Sequence, residues 1–166
     1  RTFATYLGAA VELSPDIISP EVFKDYSYFH IEGYLVQNHD LIKKAVKVAN
    51  ENGLTVSLDL ASYNVVDENL DFIHELINKY VDIVFANEEE AMAFTGKKPG
   101  QALEIISDIC DIAIVKTGKQ GSLIKQGNDI HKVGIIDVES IDTTGAGDLY
   151  AAGFLYGLMN GLSLDK

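Results

Sequence analysis

The sequence is poor in several residue types whose abundance would indicate particular classes of protein. It contains no tryptophan, three prolines and a single cysteine, Cys110, so it cannot form a disulfide within the chain. A lone cysteine suits a reducing compartment, and we therefore expect a cytoplasmic protein. No apolar run approaches the roughly 20 residues that a membrane-spanning helix requires, so no membrane partner is expected.

Basic residues are also scarce. Thirteen Lys and Arg stand against 25 Asp and Glu, giving a net charge of −12 and a pI near 4.6. A broad nucleic-acid surface needs a basic face, so no nucleic-acid partner is expected. ATP is not excluded, because backbone amides and a metal ion can neutralise phosphates locally.

What the chain does have is an ordinary globular composition, with 47% apolar and 23% charged residues over 166 positions. Apolar runs typical of buried strands alternate with amphipathic stretches typical of helices. This alternation predicts one α/β domain over residues 1–166, built on a doubly wound, mostly parallel sheet flanked by helices. A Gly127-Asn128 pair between two short runs predicts an antiparallel hairpin.

The expected elements follow from turn signals and periodicity. Ser19-Pro20 predicts a helix start, Asn38 the cap of a helix reaching about Asn52, and Asp59 the last residue of a buried strand. The other expected elements are strands at 2–7, 26–36, 82–86 and 112–115, helices at 67–80 and 101–109, and hairpin strands at 122–125 and 129–133.

The most informative stretch is Asp142-Thr-Thr-Gly-Ala-Gly-Asp148, which leads into an apolar helix. Gly145 and Gly147 let the backbone turn tightly, so the amides of Gly145, Ala146 and Gly147 can approach an anion at the helix start. Asp148 adds a carboxylate beside that anion hole. An anion site with a neighbouring base is what phosphoryl transfer to a hydroxyl needs.

This stretch, continued by Tyr150 and Ala152-Gly153-Phe154, closely resembles the signature of the ribokinase-like (PfkB) carbohydrate and nucleoside kinases. The opening residues look somewhat like adenosine-kinase-type members, while Lys116-Thr-Gly118 fits sugar-acid kinases about as well. Members are about twice as long as this chain. We therefore expect a carboxyl-terminal fragment of a larger kinase domain, without the amino-terminal lid and the final elements.

The resemblance implies ATP and Mg²⁺ as cofactors, with Asp148 as catalytic base and the Gly145-Ala146-Gly147 amides as anion hole. Asn87-x-x-Glu90 resembles the family motif that holds Mg²⁺ through water. The same spacing is also a capping box, and the two interpretations are compatible.

Two further groups complete the expected site. Lys116, Thr117, Gly118 and Gly121 resemble the segment that lies along ATP, although a plain turn would explain the same residues. Asp142 and Thr144 match positions that form a K⁺ site in some relatives, and alternatively they form a turn and a cap.

The leading hypothesis is an ATP-dependent kinase acting on a hydroxyl of a sugar or nucleoside, of the adenosine, ribose, fructose or sugar-acid class. The alternative is a non-catalytic nucleotide-binding fragment or pseudokinase, and the isolated fragment is expected to be inactive. A Rossmann dehydrogenase is disfavoured, because no Gly-x-Gly-x-x-Gly follows the first strand. Homodimer formation, which relatives often achieve through the missing lid, is a further expectation.

Overall fold

The computed structural model describes residues 8–165. The strand expected at 2–7 lies outside this range. Six strands form one mixed sheet: β1 (Tyr28–Glu32), β2 (Thr55–Asp59), β3 (Ile83–Asn87), β4 (Ile112–Lys116), β5 (Ser122–Gln126) and β6 (Asp129–Val133). Their order in the sheet follows their order in the chain. The strands β1 to β4 are parallel, and β5 and β6 continue the sheet in antiparallel fashion.

Within the described residues, seven α-helices accompany the sheet: α1 (Pro20–Phe23), α2 (His39–Glu51), α3 (Tyr63–Glu68), α4 (Leu70–Tyr80), α5 (Glu88–Thr95), α6 (Pro99–Ser107) and α7 (Ala146–Met159). Short 3-10 helices cover Gly8–Glu12, Pro15–Ile17, Gly33–Gln37 and Gly118–Gln120. No helix within residues 8–165 is long and apolar enough to cross a membrane.

The two faces of the sheet bury two separate apolar clusters. Val84 and Ala113 belong to the larger cluster, which includes residues of α2 to α6. Their strand neighbours Phe85 and Ile114 point to the opposite face, into a smaller cluster with Ala151 of α7. This division follows from the alternation of side chains along a strand. Helices therefore flank both faces of a mostly parallel sheet with an antiparallel hairpin, and the expected fold class is confirmed.

Two expected elements have other bounds than the sequence predicts. The buried strand expected at 26–36 is limited to Tyr28–Glu32, in which Ile31 is the buried residue. Residues Gly33–Gln37 form a 3-10 helix that packs Val36 into the core and leads to Asn38, the cap of α2.

The helix expected at 67–80 is two helices that meet at Asn69. The Asn69 side chain donates to the carbonyl of Val65 at 2.9 Å, and its Oδ1 hydrogen-bonds His39 Nε2 at 2.8 Å. These bonds stabilise a break at Asn69, because an asparagine side chain competes with the helical backbone for hydrogen bonds.

Candidate active site

The polar ends of three neighbouring strands meet at one edge of the sheet. Asp59 ends β2, Asn87 ends β3 and Lys116 ends β4, with Asn87 and Lys116 directly opposite each other in the ladder. Parallel strands present their carboxyl ends at the same edge, which is where ligands bind in open α/β sheets. The sequence positions of these residues are far apart, and the sheet brings them together.

The start of α7 lies over this edge. Gly145 is its N-cap with φ of +76°, a conformation that side chains disfavour, and the Ala146 amide donates to the Thr143 carbonyl at 3.1 Å in the turn. Asp148 lies exposed in the first helical turn. The first-turn amides and the helix dipole make such a terminus suited to an anion.

A cleft of about 650 Å³ lies between α7 and the sheet edge, and we call it the α7 cleft. Its walls come from the start of α5, the segment 116–122, residues 134–136 and the first turns of α7. Of the residues expected to bind nucleotide or phosphate, the cleft brings together Asn87, Lys116, Gly118, Gly121, Ala146 and Gly147.

The segment from Lys116 to Gly121 is a closed turn beside this cleft. The amide and the hydroxyl of Thr117 both donate to the Gly121 carbonyl, at 2.8 and 2.9 Å. Gly121 has φ of +89°, and a Cβ there would fall 1.9 Å from the Val133 carbonyl oxygen. Thr117 is therefore engaged in holding the turn, while Gly118 and Gly121 border the cleft.

Asn87 and Glu90 form a complete capping box at the start of α5. Asn87 Oδ1 accepts from the amides of Glu89 and Glu90, and the Glu90 carboxylate accepts from the Asn87 amide at 2.7 Å and from Nδ2 at 2.6 Å. Glu90 is only 2% exposed, and this burial raises its pKa to about 7. Its carboxylate thus points inward, behind the cleft wall that Asn87 lines.

Lys116 makes a buried ion pair. Its Nζ donates to Asp59 Oδ2 at 2.7 Å, and the two side chains are 17% and 8% exposed. The second carboxylate oxygen of Asp59 accepts from the Ala61 amide at 3.0 Å. The ammonium group also lies beneath α7, since a Cβ at Gly147 would be 3.4 Å from it.

Asp142 and Thr144 lie together in the exposed turn before α7. Asp142 Oδ1 accepts from the Thr144 amide at 3.0 Å and from its hydroxyl at 2.7 Å. This is the turn-forming role of Asp that the sequence offers as the alternative to a cation site.

Sequence reasoning missed a polar strip on the face of the sheet that α7 covers. His30 and Glu32 of β1 stand opposite Ser57 and Asp59 of β2, and His30 Nδ1 and Ser57 Oγ are hydrogen-bonded at 2.9 Å. Burial is the main cause that raises the pKa of Glu32 to about 7, and the charges of Asp59 and Asp148 add to it. The sequence did contain a signal for this strip, because His30 and Glu32 are polar residues at alternate positions of one strand and therefore share a face of the sheet.

The donors at this edge of the sheet suit a metal ion that arrives with nucleotide better than a metal cluster. Within residues 8–165 no three His, Cys, Asp or Glu side chains are grouped as a metal cluster would require. Mg²⁺ bound with nucleotide needs only one or two carboxylates, since phosphates and waters fill its other positions. Asn87 lines the cleft and fits such a water-mediated role, whereas the Glu90 carboxylate is buried and both of its oxygens are already bonded to Asn87. The open cleft with its lysine and helix terminus fits a triphosphate.

Known proteins resemble this chain in sequence and in fold. The model of the pfkB family of carbohydrate kinases matches residues 1–166. Adenosine kinase from Dictyostelium discoideum is 30% identical over 187 aligned positions, covering all of this chain and 54% of that protein. An ATP-dependent 6-phosphofructokinase from Thermoanaerobacterium thermosaccharolyticum is 35% identical over 98 residues, covering 58% of this chain and 30% of that protein.

Solved structures give the same result. Adenosine kinase from Sinorhizobium meliloti superposes with a TM-score of 0.87 at 36% identity, over 93% of this chain and 49% of that chain. A candidate ribokinase II from E. coli, in complex with ATP and Mg²⁺, superposes with a TM-score of 0.82 at 27% identity, over 92% of this chain and 52% of that one. The chain spans about half the length of these relatives, and it belongs to the pfkB family of carbohydrate kinases.

Proposed function

We propose that the protein transfers the γ-phosphate of ATP to a hydroxyl of a sugar or nucleoside. The observation that carries the proposal is the start of α7, where a left-handed Gly145 turns the chain so that Ala146 and Gly147 line one cleft together with Lys116. The exposed Asp148 follows in the same helical turn. Relatives that include adenosine and sugar kinases support the same class of activity.

Each part of the site has a chemical task in this proposal. Asp148 accepts the proton of the attacking hydroxyl, and the amides of Gly145, Ala146 and Gly147 stabilise charge on the transferring group. For this the Ala146 amide must exchange its bond to the Thr143 carbonyl for one to the phosphoryl group. Lys116, Thr117, Gly118 and Gly121 lie along the nucleotide, with the glycines permitting close approach of the backbone.

Metal ions also belong to this proposal. Asn87 and Glu90 would hold Mg²⁺ through water, which requires Glu90 to exchange a bond to Asn87 for one to a water molecule, and the ion would neutralise charge on the phosphates of the nucleotide. Asp142 and Thr144 are the candidates for a K⁺ site beside the anion hole. Activity that is equal in potassium and in a large organic cation would remove this K⁺ site from the proposal.

The decisive experiment replaces Asp148 by Asn in the full-length protein and measures ADP release with a panel of nucleosides, ribose, fructose and sugar acids. We expect Asp148→Asn to lower turnover by roughly a hundredfold or more, because the base is lost. Near-normal turnover in this variant would remove Asp148 from its role.

Asp71→Asn is the matched control for this variant. Asp71 is also an exposed carboxylate in the first turn of a helix, α4, and it lies outside the site. Both substitutions remove a helix-dipole interaction of about 0.3–1 kcal/mol. Only the Asp148 variant should lose turnover, so a similar loss in both would indicate a general effect on the helices.

The alternative is a nucleotide-binding protein or pseudokinase without transfer activity. Residues 1–166 span only about half the length of these relatives. We expect residues 1–166 in isolation, as one domain or most of one, to bind nucleotide weakly and to transfer nothing. Turnover by the full-length protein with one acceptor of the panel would establish the kinase and name its substrate, while binding without turnover would favour the alternative.

The proposed location of the protein is the cytoplasm, and its proposed oligomeric state is a homodimer. A reducing compartment suits its free, half-buried Cys110.

A further inference from the structure

The ion pair of Lys116 and Asp59 joins two strands that are not neighbours. Asp59 ends β2 and Lys116 ends β4, so the 2.7 Å contact between their side chains spans the end of β3. Both side chains are largely buried, and the Ala61 amide fixes the other oxygen of Asp59. A buried charge pair with an additional hydrogen bond has a well-defined geometry, because neither group can turn to water without losing its partner.

The position of the ammonium group is unusual in electrostatic terms. Lys116 Nζ lies under Gly147 in the first turn of α7, where the helix dipole already contributes a partial positive charge. A cation at a helix N-terminus destabilises the helix slightly, whereas a cation at the C-terminus would stabilise it. The Lys116 ammonium group and the N-terminus of α7 both contribute positive charge at the same point of the open cleft. This arrangement favours the binding of an anion there.

The surroundings of Lys116 are acidic. Its charge lowers the pKa of Glu32 and of Glu90, while Asp59 raises both. Asp148 also acts on Glu32, so four carboxylates and one lysine share the space between the strand ends and α7. Asp59 is the carboxylate that bonds the lysine directly and therefore decides where its charge lies.

We propose that Asp59 is a positioning residue for phosphoryl transfer, which holds the Lys116 ammonium beneath the start of α7 so that its charge faces the transferring group. This inference rests on the proposed kinase function. Asp59 does not line the α7 cleft, and it acts through its bond to Lys116. The charge is placed in advance, so its benefit should be greatest in the transition state, when negative charge on the phosphoryl group must be stabilised.

The test uses the full-length protein with Asp59→Asn, Lys116→Met and the double variant. Lys125→Met is the control, because Lys125 is also a strand lysine in an ion pair, with Glu104 of α6, on the other face of the sheet. The readouts are kcat and KM for ATP, and the affinity for Mg·ADP with and without aluminium fluoride, which mimics the phosphoryl group in transfer.

We expect Asp59→Asn to lower kcat about tenfold, which corresponds to about 1.4 kcal/mol, with KM for ATP changed less than threefold. The gain in ADP affinity that aluminium fluoride produces in the parent protein should shrink by a similar factor. Lys125→Met should retain both the kcat and this gain. Unchanged kcat and an unchanged gain in Asp59→Asn would overturn the inference.

The double variant separates positioning from stability. Removing one partner leaves a buried charge uncompensated, so a single variant can lose stability for reasons unrelated to transfer, and removing both partners relieves that cost. If Asp59 positions Lys116, the double variant recovers melting temperature while its kcat stays within threefold of the worse single variant. Recovery of kcat together with stability would overturn the inference in favour of a structural pair.

These measurements also separate a failure of the proposed role of Asp59 from a failure of the proposed kinase function. If aluminium fluoride gives the parent protein no gain in ADP affinity and no acceptor supports turnover, the kinase proposal fails and the inference fails with it. If the parent protein shows both and Asp59→Asn behaves like Lys125→Met, the kinase proposal stands and only the role of Asp59 is refuted.

Discussion

Two carboxylates of the candidate site are partly or fully buried where their ionised forms are unfavourable, so they lower the stability of the fold near neutral pH. Glu32 and Glu90 are both carboxylates whose pKa burial raises to about 7, so the folded protein disfavours their ionised forms near neutral pH. Asp59 is compensated by Lys116, and Glu90 by its two bonds from Asn87. Such concentration of unfavourable charge in one place is typical of functional sites, although structural networks show it too.

The raised pKa of Glu32 predicts how stability should depend on pH. In the unfolded chain the carboxyl titrates near 4.5 and in the folded protein near 7, so its favourable contribution is complete below pH 4.5 and is lost as pH rises towards 7. Glu32→Gln should remove this dependence and raise stability at pH 7.5 by on the order of 1 kcal/mol, after allowance for solvent screening.

Urea unfolding of the parent protein and of Glu32→Gln from pH 4.5 to 8 measures this effect. Glu68→Gln, at an exposed position on α3, serves as the control and should leave the pH profile unchanged. Parallel profiles for the parent and Glu32→Gln across this range would show that Glu32 is solvated enough to titrate normally.

The helices and strands show which parts of the fold local sequence can predict. The Asn38 cap, the helix that follows it and the hairpin at Gly127-Asn128 follow from turn chemistry and periodicity, and the structure confirms them. The break at Asn69 was not predictable, because its partner His39 lies 30 residues away on another helix. A continuous apolar period is compatible with one helix or two, and a tertiary contact decides between them.

The same distinction applies to the candidate site. The turn at Gly145 and the first-turn position of Asp148 are encoded within seven consecutive residues, so a motif sufficed to find them. The pairing of Lys116 with Asp59 joins residues 57 positions apart, and it requires knowledge of strand order and of which face each side chain occupies. Local patterns therefore predict site residues, while the sheet determines their partners.

The capping box of α5 gives a prediction at this scale. Asn87→Ala removes the acceptor for two helical amides and also strips the buried Glu90 carboxylate of its side-chain donor. We expect a loss of about 2–3 kcal/mol of unfolding free energy, because a lost cap and an under-satisfied buried group both contribute. Asn38→Ala, which removes one cap bond at α2 and an exposed bond from Nδ2 to the Leu13 carbonyl, should cost only about 1 kcal/mol.

Urea denaturation of the two variants tests the comparison directly. Equal losses in Asn87→Ala and Asn38→Ala would show that Glu90 finds other donors, for example water from the cleft. That result would also weaken the view that Asn87 and Glu90 act as one structural unit.

For the whole molecule, the sheet is buried unevenly. The central strands β3 and β4 pair on both edges and have four buried residues each, with one apolar cluster above and another below. The outer strand β6 pairs with β5 alone among the described strands and has no residue in the buried class. The α7 cleft lies between these well-buried and poorly buried parts of the sheet. Asn87 and Lys116 line it from the well-buried strands β3 and β4, and residues 134–136, which follow β6, line it from the other side.

This asymmetry predicts a gradient of local stability across the sheet. Amide hydrogens open to exchange with free energies that follow burial and pairing, so peptides covering β3 and β4 should exchange slowest and those covering β6 at least about tenfold faster. Hydrogen exchange followed by mass spectrometry on the full-length protein, with and without Mg·ADP, measures the gradient. Nucleotide in the α7 cleft should slow exchange in peptides that include residues 134–136 and 146–147, which border it, and leave β3 and β4 unchanged because they are already protected. Exchange in β6 as slow as in β3 would contradict the gradient, and protection by nucleotide that bypasses residues 134–136 and 146–147 would contradict the proposal that the cleft binds nucleotide.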